Sequence, residues 1–280
     1  MEEATQFTCN GDTLVGILAL PAEAARTGVV IIVGGPQYRA GSHRQFVLLA
    51  RALAAAGCAV LRFDARGMGD SSGTQRNFET ISDDIAAAIS HLQRRVPTVQ
   101  NVVLWGLCDA AAAALLYCHD SVDARVSGLC LLNPWVRSEA SLAKTQVKHY
   151  YPDRLKQKDF WRKLLIGKVA LGAVSGFVQK LRQARGTATA AAADQPFQHR
   201  MAAAWHGFKG QLLLILSGDD YTAKEFLEYT QTDPTWQGYL AHPGLTRHDL
   251  PDVDHTFSGA AACKQVEDLT ASWVTRTQSV

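Results

Sequence analysis

Three times within residues 28–117 a short apolar run with no polar alternate ends at small residues and gives way to a stretch of helical periodicity. A strand with one face in water must alternate polar and apolar side chains; a strand buried on both faces need not, and such strands belong to parallel sheets. Residues 28–33, 58–63 and 101–107 are runs of this second kind. Parallel neighbours cannot be joined by a tight turn, so each pair needs a crossover, which helical stretches at 42–56, 78–92 and 110–117 supply, the first capped by Ser42. Runs at 126–132 and 211–217 continue the pattern, followed by a helix at 222–229, a last strand at 245–250 and a closing helix at 259–277. Residues 7–21 differ, alternating about Asn10-Gly11 as an antiparallel hairpin does. The expectation is an α/β fold built on a mostly parallel sheet of about eight strands with right-handed crossovers.

The alternation stops between 134 and 210. That interval has no strand signal; it carries helical stretches at 138–150 and 160–181 and an alanine and threonine tract at 186–194. The organisation expected is therefore a core from 1–133, an inserted helical lid from 134–210, and the rest of the core from 211–280. Residues 133–210 hold 14 Lys and Arg against 4 Asp and Glu, a surplus of 10, so with a total of +2 the remainder is near −8. An insertion at the carboxyl edge of a parallel sheet is placed to cover what binds there, and a basic one suits an anionic substrate. A solvated basic face that only aids solubility is the plainer alternative.

Nearly half of the 280 residues are apolar and under a fifth are charged, enough to bury a large core and far from a disordered composition. A net charge of +2 gives no signature of a nucleic-acid partner. Six cysteines, Cys9, Cys58, Cys108, Cys118, Cys130 and Cys263, are widely spaced with no Cys-x-x-Cys pair, which argues against a disulfide scaffold or a zinc site. Residues 1–6 are acidic and lack an apolar h-region, and no 18-residue apolar run spans a bilayer, so a cytoplasmic protein without a transmembrane segment is expected.

The third repeat carries the chemistry. Val102-Val103-Leu104-Trp105-Gly106-Leu107-Cys108-Asp109-Ala110 reads as a strand turning sharply into a helix, with small residues two positions either side of a thiol. Such a turn strains the apex residue and aims its side chain into open space, at a helix N-terminus that favours a thiolate. Cys108 is placed as a nucleophile, although a buried free cysteine at a strand end is the ordinary alternative. The segment Ser217-Gly218-Asp219-Asp220-Tyr221-Thr222 then offers a carboxylate at a strand end, Asp220 by preference and Asp219 as its rival, either of which would also serve as a helix N-cap. His255, in Asp252-Val253-Asp254-His255-Thr256-Phe257-Ser258, follows the last strand and supplies a base. Nucleophile, acid, histidine is the α/β-hydrolase order. An oxyanion would be held by the backbone NH of Asp109 and by one from Gly34-Gly35-Pro36-Gln37, where Pro36 cannot donate and Gln37 is chosen over Gly35.

Other readings of these residues are weaker. His248, Asp249, Asp252, Asp254 and His255 fit no metal spacing, and the glycines after the first core strand lack a phosphate-loop Lys-Ser or Lys-Thr, so neither metal nor cofactor is expected. Asp64-Ala65-Arg66-Gly67-Met68-Gly69-Asp70-Ser71 is read as architectural, with Arg66 tied to Asp64 or Asp70. His43 and Arg44 lie on the same sheet edge and are candidates to touch substrate, as are Trp135, Phe160 and Trp161 for an apolar wall.

With these residues in view the chain resembles the α/β-hydrolase superfamily from hairpin to terminal helix. Val33-Gly34-Gly35-Pro36-Gln37-Tyr38-Arg39, Trp105-Gly106-Leu107-Cys108-Asp109-Ala110, Asn133-Pro134-Trp135-Val136-Arg137, His149-Tyr150-Tyr151 and Leu216-Ser217-Gly218-Asp219-Asp220-Tyr221-Thr222-Ala223 resemble, more closely, the exosortase A system-associated hydrolase 1 family. That resemblance implies a hydrolase linked to bacterial exopolysaccharide biosynthesis. Cysteine stands where the superfamily usually has serine, as it does in dienelactone hydrolases. The expected activity is hydrolysis of an ester or thioester on a small or carrier-bound anionic acyl or glycan substrate; a lactone hydrolase and a catalytically inactive assembly factor on the same scaffold are the alternatives.

Overall fold

The computed structural model describes residues 1–35, 37–137 and 195–277. Eight strands form one sheet: β1 Glu2–Cys9, β2 Asp12–Ala19, β3 Thr27–Ile32, β4 Ala59–Phe63, β5 Asn101–Leu107, β6 Val126–Leu132, β7 Gln211–Asp219 and β8 Leu245–Asp254. Their spatial order is β1-β2-β4-β3-β5-β6-β7-β8, antiparallel from β1 to β4 across β2 and parallel from there on. The order reverses at β3, so the carboxyl ends of β3 and β5 open a crevice where loops leave in opposite directions.

Among the described residues six helices cover the sheet: α1 Gln45–Ala55, α2 Ser82–Arg95, α3 Asp109–Asp120, α4 Phe197–Gly207, α5 Tyr221–Thr232 and α6 Ala260–Thr277. The unbroken apolar runs are explained by two cores. In β3, Val30 and Ile32 face one layer with Ile85, Leu116 and Trp205, while Val29 and Ile31 face the other with Phe46, Leu53 and Trp273. Helix α3 lies at the middle of the first layer, buried from Ala110 to Tyr117, which is why it is alanine-rich: only small side chains let it approach the sheet.

Several expectations are corrected. β1 begins at Glu2, not near Phe7, because its full length pairs with β2. Ser42 does not cap α1: residues 42–44 form a 3₁₀ turn, His43 and Arg44 have positive φ, and α1 starts at Gln45 without a side-chain cap. Helix α2 starts at Ser82 rather than 78, and β8 runs four residues further, to Asp254. Residues 195–207, assigned to the insertion from sequence, belong to the same compact unit as the sheet. Trp205 of α4 is fully buried against Phe226, Trp236 and Tyr239 and donates from Nε1 to the Tyr239 carbonyl at 2.9 Å, which fixes that helix in the core. The helical stretches expected at 138–150 and 160–181, with Phe160 and Trp161, lie outside the described residues.

Candidate active site

Cys108 stands between β5 and α3 with φ 64° and ψ −122°. A non-glycine residue rarely adopts this conformation, which costs about 1–3 kcal/mol and persists only where the surroundings impose it. Here they do. The Cys108 amide donates to the Leu132 carbonyl at 2.9 Å, and its own carbonyl accepts from Ala111 at 3.1 Å and Trp135 at 3.1 Å. A Cβ on Gly106 would come within 2.5 Å of the Ala110 carbonyl, so the sharp turn needs glycine there. The thiol is partly exposed at the N-terminus of a 12-residue helix, whose unpaired amides and dipole favour negative charge.

His255 follows β8, in a loop shaped by Asp254, whose carboxylate accepts from the Thr256 amide at 2.9 Å and the Ser258 amide at 3.2 Å. The Ser258 hydroxyl, which also donates to this carboxylate, and after it those amides hold the Asp254 pKa down to about 2. The His255 Nδ1 lies 2.7 Å from Asp220 Oδ2, and Cys108 is near enough to the ring to act on its charge. Asp220, buried, also caps α5, accepting from the Thr222 amide at 2.9 Å and the Ala223 amide at 3.2 Å. Asp219 is one residue too early: it faces outward in the β7 pairing, opposite Asp254. The Asp220 hydrogen bond, and after it neighbouring Cys108, outweigh burial and raise the His255 pKa to about 10.

The loop after β3 is fastened by carboxylates. Asp109 Oδ2 accepts from the Gly35 amide at 2.8 Å, so that NH is engaged and Gln37 is left as the loop's candidate donor. Burial pushes the Asp109 carboxyl above the usual carboxylate range, against the opposing effect of the Gly35 and Ala110 amides. Further along, fully buried Asp64 accepts from the Arg39 amide at 2.7 Å and pairs with the Arg39 guanidinium, which also reaches Asp70 at 2.6 Å. Arg66 takes neither partner expected of it. Its guanidinium bonds Asp84 of α2, Nη2 to Oδ2 at 2.9 Å, because the chain leaving β4 turns it toward that helix.

Sequence reasoning missed two groups that shape the site. Asn133, buried and at φ 43°, donates from Nδ2 to Ser217 Oγ at 2.6 Å and to the His255 carbonyl at 3.3 Å, while its Oδ1 accepts from the Ser217 amide at 2.9 Å. It braces the ends of β6 and β7 and the histidine loop; an Asn-Pro pair closing an apolar strand was the available signal. The side chain of Asp109 was the other, since only its backbone was considered. His43 and Arg44 are exposed, and among the described residues no group of three or more His, Cys, Asp or Glu side chains is placed to hold a metal ion.

Beside the loop lies a cleft of about 240 Å³, its walls formed by Val33, Met68, Phe78 and Ile81, with Asp109 inside and Arg76 exposed. The site thus holds an imidazole hydrogen-bonded to a carboxylate, a thiol close to that ring, and, on the far side of Asp109, a space that admits a small molecule.

A family model described as serine aminopeptidase, S33 (Hydrolase_4) matches residues 24–200, well over half of the chain. The chain belongs to that family. The S33 assignment agrees with its fold: an esterase of Pyrococcus furiosus, Pf2001, superposes with a TM-score of 0.65 at 13% identity, covering 99% of this chain and 92% of the other. The α/β-hydrolase GrgF of Penicillium sp. sh18 gives 0.65 at 15%, over 100% of both chains. XC6422 of Xanthomonas campestris, described as an α/β serine hydrolase without a lid, gives 0.57 at 16%, over 98% and 94%. The architecture is thus the α/β-hydrolase fold. No curated protein matches the sequence. The family takes its name from serine enzymes, whereas this S33 member carries Cys108 at the elbow. Among the described residues no helix is long and apolar enough to cross a membrane.

Proposed function

We propose that this S33-family chain is a cysteine-dependent hydrolase of esters or thioesters, with Cys108 as nucleophile, His255 as acid and base, and Asp220 as its orienting carboxylate. The observation that carries the reading is the strained elbow thiol close to His255, whose Nδ1 lies 2.7 Å from Asp220 Oδ2. Asp220, and after it Cys108, raise the His255 pKa to about 10, so at neutral pH the imidazole carries a proton and suits the partner of a thiolate.

The thiolate attacks the substrate carbonyl carbon, and the carbonyl π pair moves to oxygen, where the Asp109 and Gln37 amides hold it. Collapse expels the alcohol or thiol, which takes its proton from His255 and leaves a thioester on Cys108. The now neutral imidazole removes a proton from water as that water attacks the thioester; collapse of the second adduct returns the thiolate and releases the acid. The cleft beside Asp109 has apolar walls for an acyl or aryl group, with Arg76 exposed to meet an anionic end. The basic surplus in residues 133–210 supports an anionic substrate as well, and the resemblance to exosortase A system-associated hydrolases supports a carrier-bound or glycan-linked one in exopolysaccharide assembly.

Mass spectrometry after mixing with a p-nitrophenyl ester and with a short acyl thioester tests this. One acyl group on Cys108, absent in Cys108→Ala and slow to form in His255→Ala, is expected. Wild-type protein that forms no adduct, and whose Cys108 reacts with iodoacetamide no faster than a free model thiol, would leave the inactive assembly factor as the better account. Turnover of lactones without turnover of either acyl substrate would favour the lactone hydrolase instead.

A further inference from the structure

The two amides read as oxyanion donors come from different loops, which leave the paired strands β3 and β5. Asp109 joins the two. Its NH is one donor, and its side chain reaches across to the loop that carries the other, taking the Gly35 amide at 2.8 Å. The loop has been shaped for that contact: a Cβ on Gly34 would fall 2.0 Å from Asp109 Oδ1, so a side chain there would expel the carboxylate. Gly34 is not at a positive φ, so close approach, not backbone freedom, is what requires glycine. Four residues after Gly35 the Arg39 amide is held by buried Asp64 at 2.7 Å. Gln37 therefore lies between two amides that are each fixed by a carboxylate, and its own Oε1 accepts from the Ser42 amide at 3.3 Å.

We infer that the Asp109 carboxylate is a positioning group for the oxyanion site, setting the separation of the Asp109 and Gln37 amides by tying one loop to the other. The inference rests on the hydrolytic reading above and adds a role that the nucleophile, base and acid do not cover. Donors must be in place before charge develops on the substrate oxygen, and displacement by about 1 Å costs on the order of a hundredfold in rate. An asparagine at 109 keeps an acceptor for the Gly35 amide; an alanine does not.

Two reactions of the same sulfur separate this role from a general one. Alkylation by iodoacetamide forms a carbon–sulfur bond at a saturated carbon and expels iodide, so no oxyanion arises; acylation by a p-nitrophenyl ester passes through one. In Asp109→Ala the acylation rate constant should fall about thirtyfold or more with KM little changed, while alkylation stays within about threefold of wild type. Retained alkylation also reports that the elbow is folded. Asp109→Asn should recover most of the acylation. Gly34→Ala should lower it as Asp109→Ala does, and the double variant should lose little beyond either single one, since both break one contact.

Acylation of Asp109→Ala at the wild-type rate would overturn the inference. So would an equal fall in alkylation and acylation, which would put the effect on the thiol, or a loss in Asp109→Asn as large as in Asp109→Ala, which would make the charge and not the tie responsible. Wild-type protein that is alkylated but never acylated would instead remove the hydrolytic reading, and this inference with it.

Discussion

Two half-buried or buried histidines far apart in the chain, His91 on α2 and His255 after β8, are driven in opposite directions by their neighbours. His91 stacks on Phe7 at 4.7 Å, has its Nε2 2.7 Å from the Thr5 hydroxyl, and faces Arg94 and Arg95. Burial first, and then those two cations, lower its pKa to about 4. His255 is also partly buried, but the Asp220 hydrogen bond, and after it neighbouring Cys108, raise its pKa to about 10. Burial therefore prevails at His91, whose hydrogen-bonding partner is a neutral hydroxyl, and is overridden at His255, whose partner is a carboxylate. One histidine is a neutral packing group and the other a stored proton.

The largest effect that can test this contrast is removal of the sulfur. Cys108→Ala should abolish acyl transfer, a loss of about 10⁴-fold or more, and Cys108→Ser should recover little of it because a hydroxyl ionises far less readily than a thiol beside the same imidazole. Steady-state rates on an aryl ester check both, and a Cys108→Ser variant as active as wild type would break the distinction. Next, Asp220→Asn should cost about 10³-fold in kcat and bring the His255 titration down toward the usual histidine range, while His91, followed in the same NMR experiment, should not move. Should both histidines shift together, the variant has disturbed the fold rather than one partner.

A smaller effect is expected from pH alone. The wild-type rate should hold through the neutral range and fall as pH rises through about 10, where His255 loses the proton it gives to the leaving group. Stability moves with the same group: its folded pKa lies above the unfolded value of about 6.5, so its contribution is complete below that pH and is lost as pH rises through about 10. His91 has the opposite sign. Its folded pKa is depressed, so its contribution is complete above about 6.5 and is lost as pH falls toward about 4. His91→Phe should therefore flatten the acid limb of a melting-temperature profile and leave activity within about twofold of wild type, the smallest of these changes.

The elbow, acid and histidine were legible in sequence for a common reason. Each follows the carboxyl end of a strand, unmistakably apolar in β5 and β7, and each precedes a helix, at once for Cys108 and Asp220 and after a short loop for His255. Gly106 and Ala110 announced the sharp bend because nothing larger fits. Asp220 could be chosen, but not separated from Asp219, until the strand register showed that one residue faces outward opposite Asp254 and the next caps α5. What sequence could not show depends on side chains that reach between loops: Asp109 to Gly35, Asn133 to Ser217, Arg39 to Asp64, and Arg66 to Asp84 in place of its neighbours in sequence. Those contacts connect residues distant along the chain, and no local periodicity encodes them.

Asp220 serves two masters: both its oxygens cap the first turn of α5, and one of them also orients the imidazole. Helix ends are where a fold frays first on warming. Loosening that single turn would free the ring long before the sheet melts, so this protein should fall silent on heating at a temperature where its circular dichroism is still that of the native state.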